Sequence, residues 1–150
     1  MLSQNAGGAT ERPLITYTEA VYDPPPPPEI GVIGLSGNEI TNGDVSPSTP
    51  DGTDFGALDL HDNAISRTFT VTNSGSLALN LVGSPRVAVS GPQASDFTVT
   101  AQPAYTVPSN GVVTFTLRFL PLASGTRQAT ISIANNDADE NPFTFAVQGT

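Results

Sequence analysis

The chain has 150 residues, no cysteine, and fourteen carboxylates against five arginines and no lysine, for a formal net charge of -9. A domain of that length buries about two-thirds of its unfolded surface without staples, while the missing thiols and amines exclude disulfides, thiolate zinc sites, Schiff bases and isopeptide cross-links. The acidic balance disfavours nucleic acid and anionic membrane surfaces, and no run of eighteen apolar residues is present to insert into a bilayer.

The first residues, MLSQNAGGATERPL, lack the basic and apolar regions of a secretory signal peptide. Residues 13 to 22, PLITYTEAVY, alternate: Ile15, Tyr17, Glu19 and Val21 share one side and Thr16, Thr18, Ala20 and Tyr22 the other. Such a β-prone pattern is a segment that seeks a pairing partner, unlike the Ser, Gly, Glu and Lys of a disordered linker. Pro24, Pro25, Pro26, Pro27 and Pro28 follow. At about 3.1 Å per residue they form a polyproline II rod of roughly 15 Å that cannot donate backbone hydrogen bonds. Residues 1 to 28 are therefore expected to be an extended arm presented away from the domain that follows.

From residue 29 to 150, short β-branched and aromatic runs are separated by Gly, Pro, Asn, Asp and Ser clusters. Strands are expected at 29–35, 67–73, 77–82, 86–90, 96–101, 112–119, 129–134 and 142–148. Phe69 and Val71 point one way and Thr68, Thr70 and Thr72 the other; Val113, Phe115, Leu117 and Phe119 form a second inward series. Turn chemistry separates them at NSGS (73–76), Asn110-Gly111 and SGT (124–126). The long connection 42–65 should reach the core through Phe55 and Leu58. The expected fold is all-β, an immunoglobulin-like antiparallel β-sandwich of about seven or eight strands with an extended N-terminal arm.

The segments DGTDFG, FTVTNSGS, GPQASDFTV, FTLRFLP, GTRQATISIANND and NPFTFAVQGT carry a resemblance. Over about residues 30 to 150 the chain resembles the choice-of-anchor D repeat of bacterial surface and secreted proteins, itself similar to the immunoglobulin-like modules of Hydin and abnormal-spindle proteins. The resemblance implies a non-enzymatic spacer, adhesion or assembly module, located outside the cell or on its surface. A departure from that pattern places Leu120 and Leu122 around Pro121 in a loop, a candidate receiving surface for an arm.

Among sites, the loop NNDADENP brings Asp137, Asp139 and Glu140 within four positions, hard oxygen ligands of the kind calcium takes. The same residues are also ordinary turn formers, and the loop lacks the glycine and distal glutamate of an EF-hand. Asp51, Asp54, Asp59 and Asp62 fit no metal motif and read as a solvated loop. His61 stands alone, without a second histidine or a cysteine for a transition metal. No nucleophile elbow, phosphate loop or zincin motif occurs. With no tryptophan, and two of the three tyrosines, Tyr17 and Tyr22, in the arm, Tyr105 is the sole domain tyrosine for a glycan platform.

Two functions remain. One is a structural subunit of a noncovalent extracellular assembly, a filament or surface layer, self-associating through Ile15, Tyr17, Val21 and the proline rod. The other is a spacer or adhesion module of a larger protein, binding calcium or glycan. A microtubule role is disfavoured because this acidic surface would face acidic tubulin.

Overall fold

A computed structural model describes Pro13 and residues 18–150. Ten strands follow one another: β1 (Ile30–Ile33), β2 (Glu39–Ile40), β3 (Ile65–Asn73), β4 (Leu79–Asn80), β5 (Val87–Ser90), β6 (Phe97–Ala101), β7 (Thr106–Val107), β8 (Val112–Phe119), β9 (Arg127–Ile133) and β10 (Phe143–Gly149). Two single-turn 3-10 helices, Leu35–Gly37 and Ala94–Asp96, are the only helical elements among the described residues. None is long or apolar enough to cross a membrane. A five-stranded sheet in the order β2-β1-β3-β8-β6 faces a three-stranded sheet, β10-β9-β5, and β4 pairs with β7 separately. Every strand pair is antiparallel. This is an immunoglobulin-like antiparallel β-sandwich.

Period-two alternation builds the core. Phe69 and Val71 on β3, Phe115, Leu117 and Phe119 on β8, and Phe143, Phe145 and Val147 on β10 are all buried, while the alternate positions of these strands are not. Val113 is only partly buried at the outer end of its series. Phe69 stacks on Phe115 at 5.3 Å between centroids and meets Phe145 at 5.8 Å, which joins the two sheets. Phe55 reaches this core from the long connection, against Phe97 at 5.8 Å and Phe119 at 5.6 Å, and the partly buried Leu58 packs against the same core. Both anchors lie where the sequence places them. Asn110 and Gly125 adopt the positive φ expected of their turns.

The connection 42–65 is less loose than a Gly, Pro and Asp composition suggests. It runs parallel to β10, with Gly43 donating to Thr144, Ala146 to Asp44, Phe55 to Gln148, Gln148 to Thr53, and Leu58 to Thr150, all at 2.7–3.0 Å. The free edge of β10 is thereby covered. Asp51 accepts from the Thr53 amide and hydroxyl, and Arg67 donates to the carbonyls of Gly52 and Asp54. These two residues hold the loop in place. The expected solvated cluster of Asp51, Asp54, Asp59 and Asp62 is thus partly structural, with Asp51 buried.

Candidate functional site

The described part of the arm carries no strand from residue 18 to 29. Ile15 and Tyr17 lie outside the described residues. Val21 is 90% exposed and Tyr22 82%, so the apolar surface nearest the rod is uncovered. The rod itself is exposed from Pro24 to Pro27, while Pro28 is buried. Its base rests on the NSGS segment: the Ser76 amide donates to the Pro26 carbonyl at 3.2 Å and Ser74 to Glu29 at 3.0 Å. A Cβ on Gly75 would fall 1.9 Å from the Pro27 carbonyl oxygen, so only glycine lets the two backbones approach this closely.

Asn73, buried at the end of β3, organises that contact. Its Oδ1 accepts from the Glu29 and Gly75 amides, and its Nδ2 donates to the carbonyls of Leu77 and Val107. The sequence marks Asn73 only as the start of a reversal. The structure makes it the seat of the arm.

Beside the arm base lies the acidic loop. Asp137 is buried, and its Oδ2 accepts from the Ile30 amide at 2.9 Å, closing the first part of the β1 edge. Asn135 donates from Nδ2 to Ile133 and Glu140 carbonyls, and Asn136 accepts from Asn80 at 2.7 Å. The turn-forming role of this stretch is therefore real. Carboxylate oxygens of Glu29, Asp137 and Asp139 lie within 4.8 Å of one another and could hold a cation. Glu140 stands next to that set rather than in it. Its Oε2 is buried with no donor, and its pKa is raised, first by burial and then by the charges of Glu29, Asp137 and Asp139. A cleft of about 370 Å³ opens here, lined by Glu29, Ile30, Glu39, Ile40, Glu140 and Phe143.

At the far end, Leu120 is half-buried and Leu122 is 65% exposed, with Pro121 buried between them. Their backbone is pinned by Asp96, whose carbonyl accepts from Leu120 and whose Oδ2 accepts from Leu122 at 3.3 Å. Asp96 is buried and ion-paired with Arg127. Burial pulls its pKa up, but the Arg127 hydrogen bond, the Leu122 amide, the Arg127 charge and the Ser95 hydroxyl together hold it below the usual value. Next to this segment a groove of about 530 Å³ is lined by Leu58, Leu60, His61, Ala123, Ser124 and Thr150. His61 and Tyr105 are both exposed, and the Arg86 guanidinium lies 3.9 Å over the Tyr105 ring, covering one of its faces.

The two surfaces are separated by the length of the sandwich. Ile30 pairs with Asn73 at one end of β3 and Ile65 pairs with Phe119 at the other. At about 3.3 Å per residue that is roughly 26 Å.

No family model matches this chain, and no curated protein does. Among solved structures it is similar to a protein of unknown function from Porphyromonas gingivalis W83, at 20% identity and a TM-score of 0.53, covering 64% of this chain and 42% of that one. The chain thus spans less than half the length of that structure. The VesB protease of Vibrio cholerae aligns at 16% identity and a TM-score of 0.47 over 64% of this chain and 28% of its own. The ASH/PapD-like domain 7 of human CEP192 aligns at 14% identity and a TM-score of 0.46 over 93% and 96%. The first of these likenesses concerns the fold alone.

Proposed function

We propose that this chain is a non-enzymatic structural module of a noncovalent extracellular assembly, a filament or surface layer, in which the N-terminal arm of one copy engages the next. The observation that carries the reading is polarity. The arm is seated at one end of the sandwich with Val21 and Tyr22 uncovered, and the exposed Leu122 lies at the other. An arm and a receiving surface at opposite ends give a head-to-tail contact, which propagates unless rotation closes a ring. The resemblance of segments such as FTVTNSGS and GTRQATISIANND to choice-of-anchor D repeats, read from the sequence, favours a placement outside the cell or on its surface.

The manner of docking follows from the edges. β10 is covered by the 43–58 run, β1 by β2 and Asp137, and Val87 of β5 by the Gln102 amide group, which both accepts from and donates to its backbone at 2.9 Å. Among the described residues β6, last in the five-stranded sheet, has no strand beyond it, so an extended arm can add there by main-chain hydrogen bonds. Ile15, Tyr17 and Val21 would then lie near Leu120 and Leu122, whose backbone is held by Asp96 just ahead of β6. Deleting residues 1–23 should convert fibres or sheets seen by electron microscopy into dispersed, folded particles no larger than dimers. Assemblies that persist undiminished after the deletion reduce the arm to a linker and leave the spacer reading.

A second reading, a calcium-stiffened arm base, is favoured by the approach of Glu29, Asp137 and Asp139 and by the donor-free oxygen of Glu140. Millimolar calcium should raise the thermal midpoint by mass action. Asp139→Ala, which spares the Asp137 bond to Ile30, should remove the rise. An equal midpoint with calcium and with chelator ends that reading.

A further inference from the structure

The thirteen described carboxylates, the chain's fourteen less Glu11, avoid the strands: only Glu39 sits in one. On the outer face of the five-stranded sheet the alternation instead presents Thr68, Thr98 and Thr114, all exposed, and Thr70, Thr72 and Thr116, half-buried, with the exposed Val112 opposite Thr72, Arg118 as a cation and Glu39 at the rim. The hydroxyls form a register, Thr68 opposite Thr116 and Thr70 opposite Thr114, and the first pair is hydrogen-bonded at 3.2 Å. In a molecule of net charge -9, a broad face with a single carboxylate, at its rim, is a place where two copies can touch with few acids brought together.

We propose that this threonine face is a contact through which a second copy of the chain packs, sheet against sheet, independently of the arm. Two features of the molecule favour that occupant. First, charge: the poles and seams, where the acids gather, repel a second copy, whereas the threonine methyls and hydroxyls cost little to desolvate in register. Second, size: at about 4.8 Å between strands and about 3.3 Å per residue the face measures on the order of 20 by 25 Å. Its side-chain relief brings the accessible area toward the roughly 800 Å² per partner of a standard interface. Two such faces pack with their strands near-aligned, as sheets do within a sandwich.

The test is sedimentation of the full chain carrying Tyr17→Asp and Val21→Asp, which disables the arm and leaves the face. This protein should still dimerise, and the dimer should tighten several-fold between about 20 mM and about 150 mM sodium chloride as the mutual repulsion of two acidic copies is screened. Adding Thr68→Glu and Thr114→Glu, both at exposed positions, should weaken association at least ten-fold with the circular dichroism melt unchanged. Thr114→Lys, of opposite charge, repeats the test should the double glutamate variant lose its fold. A monomer at every concentration, or dimers untouched by these substitutions, overturns the proposal. So does a monomer retained on insoluble cellulose through the same threonines, which would make the face a glycan surface. Fibres that persist undiminished when the arm is disabled, with the face dimer intact, would count against the arm and not against the face.

Discussion

The two ends of the sandwich are held together by different chemistry. At the arm end, buried amide side chains do the organising: Asn73 makes four hydrogen bonds under the arm base and Asn135 ties the β9–β10 connection. Carboxylates gather there without a basic partner in the set, and Glu140 shows the cost in its raised pKa. At the far end a single buried carboxylate, Asp96, is matched by Arg127 and fixes the leucine segment. Amide side chains carry most of one end, with the Asp137 carboxylate beside them on Ile30, whereas a charge pair holds the other only while Asp96 is ionised.

The strongest way to break the contrast is to remove the amide. Asn73→Ala strips two acceptor and two donor bonds from a buried site, and the groups left behind lose partners they cannot replace with water. A loss of about 3 kcal/mol in urea unfolding is expected, with little change between pH 7 and pH 3. A loss below about 1 kcal/mol would mean that the arm base is not seated by this residue.

Acid should separate the two ends. The folded pKa of Asp96 is lowered below its unfolded value, so its contribution is fully present above the unfolded carboxylate pKa, near 3.9, and is lost as pH falls from there through the folded value. Asp96→Asn should therefore lower stability at pH 7 and flatten this acid limb. Hydrogen exchange at Leu120 and Leu122 should speed up in acid before exchange at Gly75 and Ser76 does. A parallel rise at both ends would deny the charge pair its local role.

How much of this was legible in the sequence depended on the distance over which the cause acts. Phe69, Val71, Phe115, Leu117 and Phe119 declare themselves by alternation within one strand, and all are buried. The strands β2 and β7 escape notice because two residues cannot show a period. The ordering of 43–58 escapes it because its partner, β10, lies some ninety residues further on and the bonds are main-chain. Asp96 reads as the first residue of a strand, and its partner is thirty-one residues away in sequence. Glu29 reads as the first residue of a strand, yet it is the carboxylate that joins Asp137 and Asp139, which a search within one acidic run could not find.

The smallest expected effect sharpens the boundary between arm and domain. A chain beginning at Glu29 keeps every core strand, so it should fold. It loses the Ser76 to Pro26 hydrogen bond and the burial of Pro28, however, and exposes the seat around Gly75. Removing one net hydrogen bond and one small buried ring should cost about 1–2 kcal/mol. A chain beginning at Pro24 keeps both contacts and should match the full-length protein within about 0.5 kcal/mol. Chemical denaturation of the two shortened chains side by side resolves the difference. Equal stability of both would place the domain boundary at Glu29 and make the rod a passenger; a deficit confined to the shorter chain would place Pro26 to Pro28 within the fold, so that the direction in which the arm leaves is set by the sandwich itself.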